Sequence, residues 1–135
     1  MKHIILVFFL LLNISALFSQ SKFSVNGSAD IKGEGSEANF NARNNAILKA
    51  YQSAISKAIL KIIPETVFKN NETAIKDQIF NFAKSFIKEE EIIDEDIKDN
   101  KYVVSLDVVI DDKKISESLK SLSINTDIGS LSDMN

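Results

Sequence analysis

The sequence predicts an α+β fold: a two-layer sandwich in which a three-stranded, mostly antiparallel sheet packs on a long helix and a second helix. Three observations lead to this prediction. Two segments alternate apolar and polar residues with a period of two, a long segment between them has helical periodicity, and turn residues separate the segments. The predicted order is strand, long helix, second helix, hairpin and short C-terminal helix.

Residues 1–19 are predicted to form a signal peptide. Lys2 and His3 make a short basic region, and an unbroken apolar run from Ile4 to Leu12 leads towards a cleavage site after Ser19. The run is shorter than the roughly 20 apolar residues that span a bilayer, which favours a cleaved signal over an uncleaved anchor. We therefore expect a protein that is exported from the cytoplasm, to a periplasm or out of the cell, with no membrane span after cleavage.

The composition excludes several kinds of chemistry. The 135 residues include no Cys and one His, His3, which lies in the predicted signal peptide. Imidazole and thiol catalysis, ordinary zinc sites, disulfides and iron–sulfur clusters are therefore excluded from the remaining chain. A net charge of −3 indicates no basic surface for a nucleic acid. We expect no cofactor, no enzymatic activity, one domain over residues 20–122 and a flexible tail over residues 123–135.

The first strand is predicted from Phe23 to Ile31. Apolar or small residues alternate with polar ones in this segment, so one face is expected to be buried and the other solvated. The sequence Lys32-Gly33-Glu34-Gly35 then interrupts the extended pattern, and Ser36 is predicted to cap the following helix.

The long helix is predicted from Glu37 to Ile63 and ends there because the residue before Pro64 avoids helical dihedral angles. Alanine recurs at every fourth position, which puts five alanines on one face: Ala42, Ala46, Ala50, Ala54 and Ala58. Small side chains let a neighbouring element approach the helix backbone closely. The alanine face is therefore predicted to pack against the sheet, and the alternative is a seam for association with another molecule.

A connector is predicted over residues 65–71, and the second helix follows it as far as about Ser85. The apolar face of that helix is expected to comprise Ile75, Ile79, Phe82, Ala83 and Phe86. Residues 87–97 are predicted to form an edge strand protected by charge, and a helical continuation is the alternative. The turn residues Asp99 and Asn100 precede the second strand of the hairpin.

The clearest strand is predicted from Tyr102 to Ile110, where apolar residues occupy every second position. Asp111 and Asp112 are predicted to cap a short last helix. The apolar residues of that helix are Ile115, Leu119 and Leu122.

The long helix and the last strand carry motifs that resemble a known family. The helix contains Ala42-Arg43-Asn44-Asn45-Ala46-Ile47-Leu48-Lys49-Ala50, an aromatic-Ile pair follows at Phe86-Ile87, and the strand reads Tyr102-Val103-Val104-Ser105-Leu106-Asp107-Val108. Over about Phe23 to Ile110, the pattern resembles the N-terminal domain of flagellar assembly protein T and related small bacterial envelope proteins. The resemblance implies a periplasmic, non-enzymatic module whose partners are flagellar basal-body or other envelope proteins.

Arg43 is the single arginine of the chain and falls within the resembling motif. A guanidinium can bind a carboxylate or phosphate of a partner through two hydrogen bonds. The alternative, which we favour, is an intramolecular pair with a carboxylate of the hairpin that fixes the helix against the sheet.

Acidic residues are densest in the predicted edge strand and the turn after it, at Glu89, Glu90, Glu91, Asp94, Glu95, Asp96 and Asp99. Their spacing lacks the pattern of a calcium-binding loop. A solvated edge is therefore favoured over a hard-cation site.

Two other hypotheses stay open beside the envelope module. One is a carrier that holds an apolar ligand between the helix layer and the sheet, and the other is a secreted or surface protein unrelated to flagella. The carrier's cavity would be lined by phenylalanines that a packed core explains more simply: Phe40, Phe80, Phe82 and Phe86.

Overall fold

Residues 20–126 are described by a computed structural model, and they have the predicted α+β architecture. The strands β1 (Lys22–Asp30), β2 (Ile87–Lys98) and β3 (Lys101–Ile110) form one sheet with β3 in the middle. Both strand pairs are antiparallel. The long helix α1 (Gly35–Ile62) packs against β1 and β3. The predicted two-layer sandwich is confirmed.

The alternation in β1 and β3 decides which face of the sheet meets the helix. The buried residues of the two strands are Val25, Gly27, Ala29, Val104, Leu106, Val108 and Ile110. Their neighbours in sequence lie on the opposite face and are exposed or half-buried. Period-two patterning therefore predicted both strands and their buried faces correctly.

The alanine face of α1 lies directly on the sheet. All five alanines of this face are at most 2% exposed. A Cβ atom added at Gly27 would lie 1.9 Å from the carbonyl oxygen of Ala46 and 2.8 Å from the amide nitrogen of Ala50. Strand and helix backbones are thus in contact, with no space for a side chain between them. The predicted packing against the sheet is confirmed, and the alternative of an association seam is wrong.

The start of α1 differs from the prediction. Glu34 occupies the N-cap position and no side chain caps the helix, so the prediction that Ser36 is the cap is wrong. Gly33 and Gly35 have φ angles of 99° and 88°, which turn the chain into the helix by backbone geometry that glycine adopts without strain. The surrounding residues are exposed, so water can satisfy the N–H groups of the first turn.

The segment between α1 and β2 also differs. The predicted connector over residues 65–71 contains a helix, α2 (Glu65–Asn70), which follows Pro64 because proline is compatible with a helix start. The predicted second helix is shortened to α3 (Glu72–Gln78) and continues as a 3₁₀ helix, Phe80–Phe86.

The apolar face of this segment is close to the predicted one. The buried residues are Ile75, Ile79, Ala83 and Phe86, whereas Phe82 is 60% exposed. Phe82 has non-helical backbone angles (φ −116°, ψ 26°). The change from 3.6 to three residues per turn, together with this kink, moves its side chain out of the buried face.

The hairpin turn is hydrogen-bonded to the residue that follows β1. Asp99 and Asn100 both have positive φ, at 52° and 58°, which is the geometry of a two-residue type I′ turn. The carbonyl of Asn100 accepts a hydrogen bond from the N–H of Ile31 at 2.9 Å. The predicted turn is confirmed.

The helix α4 (Asp112–Ser121) follows β3. Its N-cap is Asp111, whose carboxylate accepts a hydrogen bond from the Lys114 N–H at 3.1 Å, as predicted. Ile124 is only 5% exposed, and its N–H donates to the carbonyl of Leu119 at 3.1 Å. The domain therefore extends two residues beyond the predicted boundary at residue 122.

The predicted signal peptide, residues 1–19, lies outside the described residues. So does the part of the predicted tail from residue 127 onwards.

Gly27→Ala is expected to destabilise the protein by about 3 kcal/mol, although alanine is no worse than glycine in an ordinary strand. The added methyl group would overlap the backbone of Ala46, so helix and sheet must separate. Urea denaturation measures the free energy of unfolding. The control is Ser28→Ala at the next, exposed position, which should stay within about 0.5 kcal/mol of the wild type. Equal stability of the Gly27→Ala and wild-type proteins would contradict the backbone contact.

Candidate functional site

β2 is an edge strand that the helix layer leaves uncovered. Eleven of its 12 residues are exposed, and Ile87 is half-buried. Among residues 20–126, β2 pairs with β3 alone, so its other backbone edge is free. Three of its isoleucines are 41%, 55% and 50% exposed: Ile92, Ile93 and Ile97. The predicted edge strand is confirmed, and the alternative of a helical continuation is wrong.

The register with β3 divides β2 into two faces. Glu90, Ile92 and Glu95 pair with buried residues of β3 and therefore lie on the inner face, towards the helix layer. The outer face carries the carboxylates of Glu89, Glu91, Asp94 and Asp96. A register irregularity between Ile92 and Asp94 takes Ile93 out of the alternation.

Two carboxylates of the inner face hold β2 to the rest of the domain. The Nε of Arg43 donates a hydrogen bond to Oε1 of Glu95 at 2.6 Å, and the hydroxyl of Tyr102 donates to the same oxygen at 3.0 Å. The hydroxyl of Tyr51 donates to Oε2 of Glu90. Both Arg43 and Tyr51 belong to α1, so long polar side chains connect this helix to a strand it does not cover.

Arg43 thus pairs with a carboxylate of the hairpin, and the side chains of Arg43 and Glu95 are 34% and 31% exposed. Their mutual hydrogen bond is the main cause that raises the pKa of Arg43 and lowers the pKa of Glu95. Burial, followed by the hydrogen bond to Glu90, raises the pKa of Tyr51. At neutral pH, Arg43 and Tyr51 therefore keep their protons and Glu95 stays charged.

A groove of about 350 Å³ lies between α1 and β2, and we refer to it as the α1–β2 groove. Its apolar lining comprises Ile47, Leu48 and Ile92, of which Leu48 is 38% and Ile92 is 41% exposed. Polar lining comes from Arg43, Asn44, Tyr51, Lys84 and Glu90. A groove that combines apolar and charged side chains beside a free strand edge fits a polypeptide segment, because such a segment engages edge and groove together.

The four phenylalanines of the carrier hypothesis do not share one environment. Phe86 is buried, and Phe80 is half-buried with its ring centroid 6.2 Å from that of Phe68. Phe40 and Phe82 are each 60% exposed. Of the four, two therefore belong to the packed interior or its border and two face solvent, so they do not line a common cavity.

Sequence reasoning missed Tyr51, Tyr102 and Ile92 as parts of the site. Both tyrosines stand among apolar residues of their segments, and a tyrosine that is partly buried in this way needs a hydrogen-bond partner for its hydroxyl, which is a usable signal. The adjacent pair Ile92 and Ile93 breaks the period of two and signals the irregularity in β2.

Arg43→Lys is expected to lower the free energy of unfolding by about 0.5–1 kcal/mol, since the pair with Glu95 is partly exposed. A double-mutant cycle with Glu95→Gln, read by urea denaturation, should give a coupling energy of about 0.5 kcal/mol. Lys49→Arg, at another cation of α1, is the matched control and should change stability little. A coupling energy of zero would show that the pair does not hold β2 to α1.

The contribution of Glu95 to stability should disappear in acid. Because the folded protein lowers the pKa of Glu95 below its ordinary value of 4.5, the unfolded chain takes up the proton first as the pH falls. The stabilisation is therefore complete above pH 4.5 and is lost as the pH falls through the folded pKa. The difference in melting temperature between wild type and Glu95→Gln should therefore be constant above pH 4.5 and shrink as the pH falls below that value. A difference that stays constant down to pH 3 would contradict the assignment.

The acidic side chains of the site extend along both faces of β2. Within residues 20–126, no three acidic, His or Cys side chains come together in the way a metal site requires.

No helix within residues 20–126 has the length and hydropathy needed to cross a membrane. Comparison with protein-family models, curated proteins and solved structures gives no match to this chain.

Proposed function

We propose that this chain is a non-enzymatic, exported module that binds another protein of the bacterial cell envelope through β2 and the α1–β2 groove. One observation carries the proposal: a 12-residue edge strand is paired on one side and exposes three isoleucines. Several large apolar side chains left exposed on one strand of a small domain mark a surface that a partner covers.

The firm attachment of β2 supports a binding role. Glu90 and Glu95 hold the strand to α1 and β3, so its apolar residues are presented on a fixed backbone. A surface that is ordered before binding loses less conformational entropy when the partner arrives.

The exported location and the class of partner are parts of the same proposal. Export is supported by the signal-peptide pattern of residues 1–19. The resemblance of the long helix and last strand to the flagellar assembly protein T domain supports partners in the flagellar basal body or another envelope assembly.

Ile92→Asn is expected to weaken partner binding strongly without unfolding the domain. It removes apolar contact area from the centre of the surface and leaves the charge unchanged, which should weaken binding about tenfold or more. The full chain, tagged at its C-terminus, is purified from envelope fractions of its own bacterium, and the bound proteins are quantified by mass spectrometry. Leu60→Asn is the matched control, because Leu60 is an aliphatic residue of α1 with similar exposure, 44%.

The wild type and Leu60→Asn should retain the same envelope proteins, and Ile92→Asn should lose them. Equal retention by all three proteins would contradict the proposed surface. Recovery of the chain from the cytoplasm would contradict export, and the absence of basal-body proteins in motile cells would remove the flagellar part of the proposal.

A further inference from the structure

We infer that the partner supplies an extended segment in which apolar residues alternate with Lys or Arg, and that this segment adds to β2 as a fourth strand of the sheet. The inference rests on the proposed function and specifies the chemistry of the partner. It follows from three properties of β2: its free backbone edge, the exposed isoleucines of its inner face, and outer carboxylates that have no basic partner among residues 20–126.

The backbone edge of β2 is available to another strand. The N–H of Ile97 is donated to the side chain of the preceding residue, Asp96, at 2.8 Å. This N–H can give up the Asp96 carboxylate and donate to a backbone carbonyl of an added strand instead. The hydrogen bonds between β2 and β3 would not change. Main-chain hydrogen bonds of this kind supply the affinity when an extended segment joins a sheet edge.

The inner face of β2 selects apolar side chains. Ile92 and Ile97 lie on this face because they pair with Leu106 and Tyr102 of β3. Leu48 of α1 borders the same groove as Ile92. Every second residue of an added strand would point to this side, where it can cover the exposed isoleucines.

The outer face of β2 selects cations. Its four carboxylates belong to Glu89, Glu91, Asp94 and Asp96, and none of them is within salt-bridge distance of a basic group among residues 20–126. Their partners across the ladder are Val109, Asp107, Ser105 and Val103, which carry no positive charge. Lys or Arg residues on the outer side of an added strand would provide the missing opposite charges.

The same charges disfavour pairing between the β2 strands of two copies of this chain. β2 carries six carboxylates and two lysines, at positions 88 and 98. Edge-to-edge pairing of two such strands would place like charges opposite each other, which destabilises a strand pair. The favoured occupant is therefore a basic segment of a different protein.

The probe is a decapeptide of alternating Val and Lys, acetylated and amidated, titrated into the full chain by calorimetry at low salt. Binding is expected for this peptide. It should be lost for the Val-Glu peptide of the same pattern and for a Val-Lys peptide whose backbone is N-methylated at alternate residues, because that peptide keeps its charges but cannot pair along an edge. Equal binding of the methylated and unmethylated peptides would reduce the effect to charge attraction and overturn the inference.

Variants of β2 locate the site. Glu91→Lys combined with Asp94→Lys should weaken binding about tenfold, since two attractive pairs become repulsive. Glu72→Lys combined with Asp77→Lys, both on α3, is the control for the same change in net charge. Ile97→Pro removes the edge N–H and should abolish binding, whereas Ile97→Ala keeps the N–H and should weaken binding only partly. Binding that none of these changes alters would overturn the inference.

The outcomes separate this inference from the proposed function. If no peptide binds but Ile92→Asn still loses the envelope proteins, the surface is correct and strand addition is wrong. If the Val-Lys peptide binds as expected but no envelope protein depends on Ile92, the chemistry of the edge holds and the envelope role is wrong. A dimer of the chain that Ile97→Pro dissociates would overturn the inference in favour of a second copy.

Discussion

The direct contact between the backbones of β1 and α1 is the constraint on which the other features of the domain depend. A glycine on the strand and an alanine at every fourth position of the helix remove the side chains that would separate the two elements. α1 therefore packs closely against β1 and β3. From this position it leaves β2 exposed, and the side chains of α1 that hydrogen-bond to that strand are the long polar ones of Arg43 and Tyr51. The position of α1 therefore explains both why β1 and β3 are in close contact with the helix and why β2 stays exposed.

The chemistry of β2 is consistent with a strand that remains uncovered in the free protein. An edge strand with exposed isoleucines is a site where a second chain can add, and carboxylates on such an edge oppose pairing with identical or acidic strands. The inner carboxylates serve a different purpose, because Glu90 and Glu95 are bonded to α1 and β3 and fix the strand in place. The outer carboxylates lack such partners within the described range, so the same strand combines attachment on one face with a selective charge on the other.

Local periodicity explains how much of this fold could be predicted from the sequence. The strands, the alanine face and the Asp111 cap were correct because each depends on residues that are near one another in the chain. The kink at Phe82 and the burial of Ile124 were missed because tertiary packing decides them. The candidate site was predicted in part: a pair between Arg43 and the hairpin was the favoured interpretation, but identification of Glu95 needed the register of β2 against β3. The groove was not predictable, since Leu48 and Ile92 border the same space only once α1 is packed on the sheet.

Residue-resolved amide hydrogen exchange, measured by NMR on the full chain with and without the Val-Lys peptide, tests the central claim most directly. The claim is that β2 is an open edge which a basic strand closes. In the free protein, the N–H of Ile97 should exchange much faster than the amides of β3, and the peptide should slow its exchange while leaving the β1 edge unchanged. An Ile97 amide that is already protected in the free chain, or new protection confined to β1, would contradict the account.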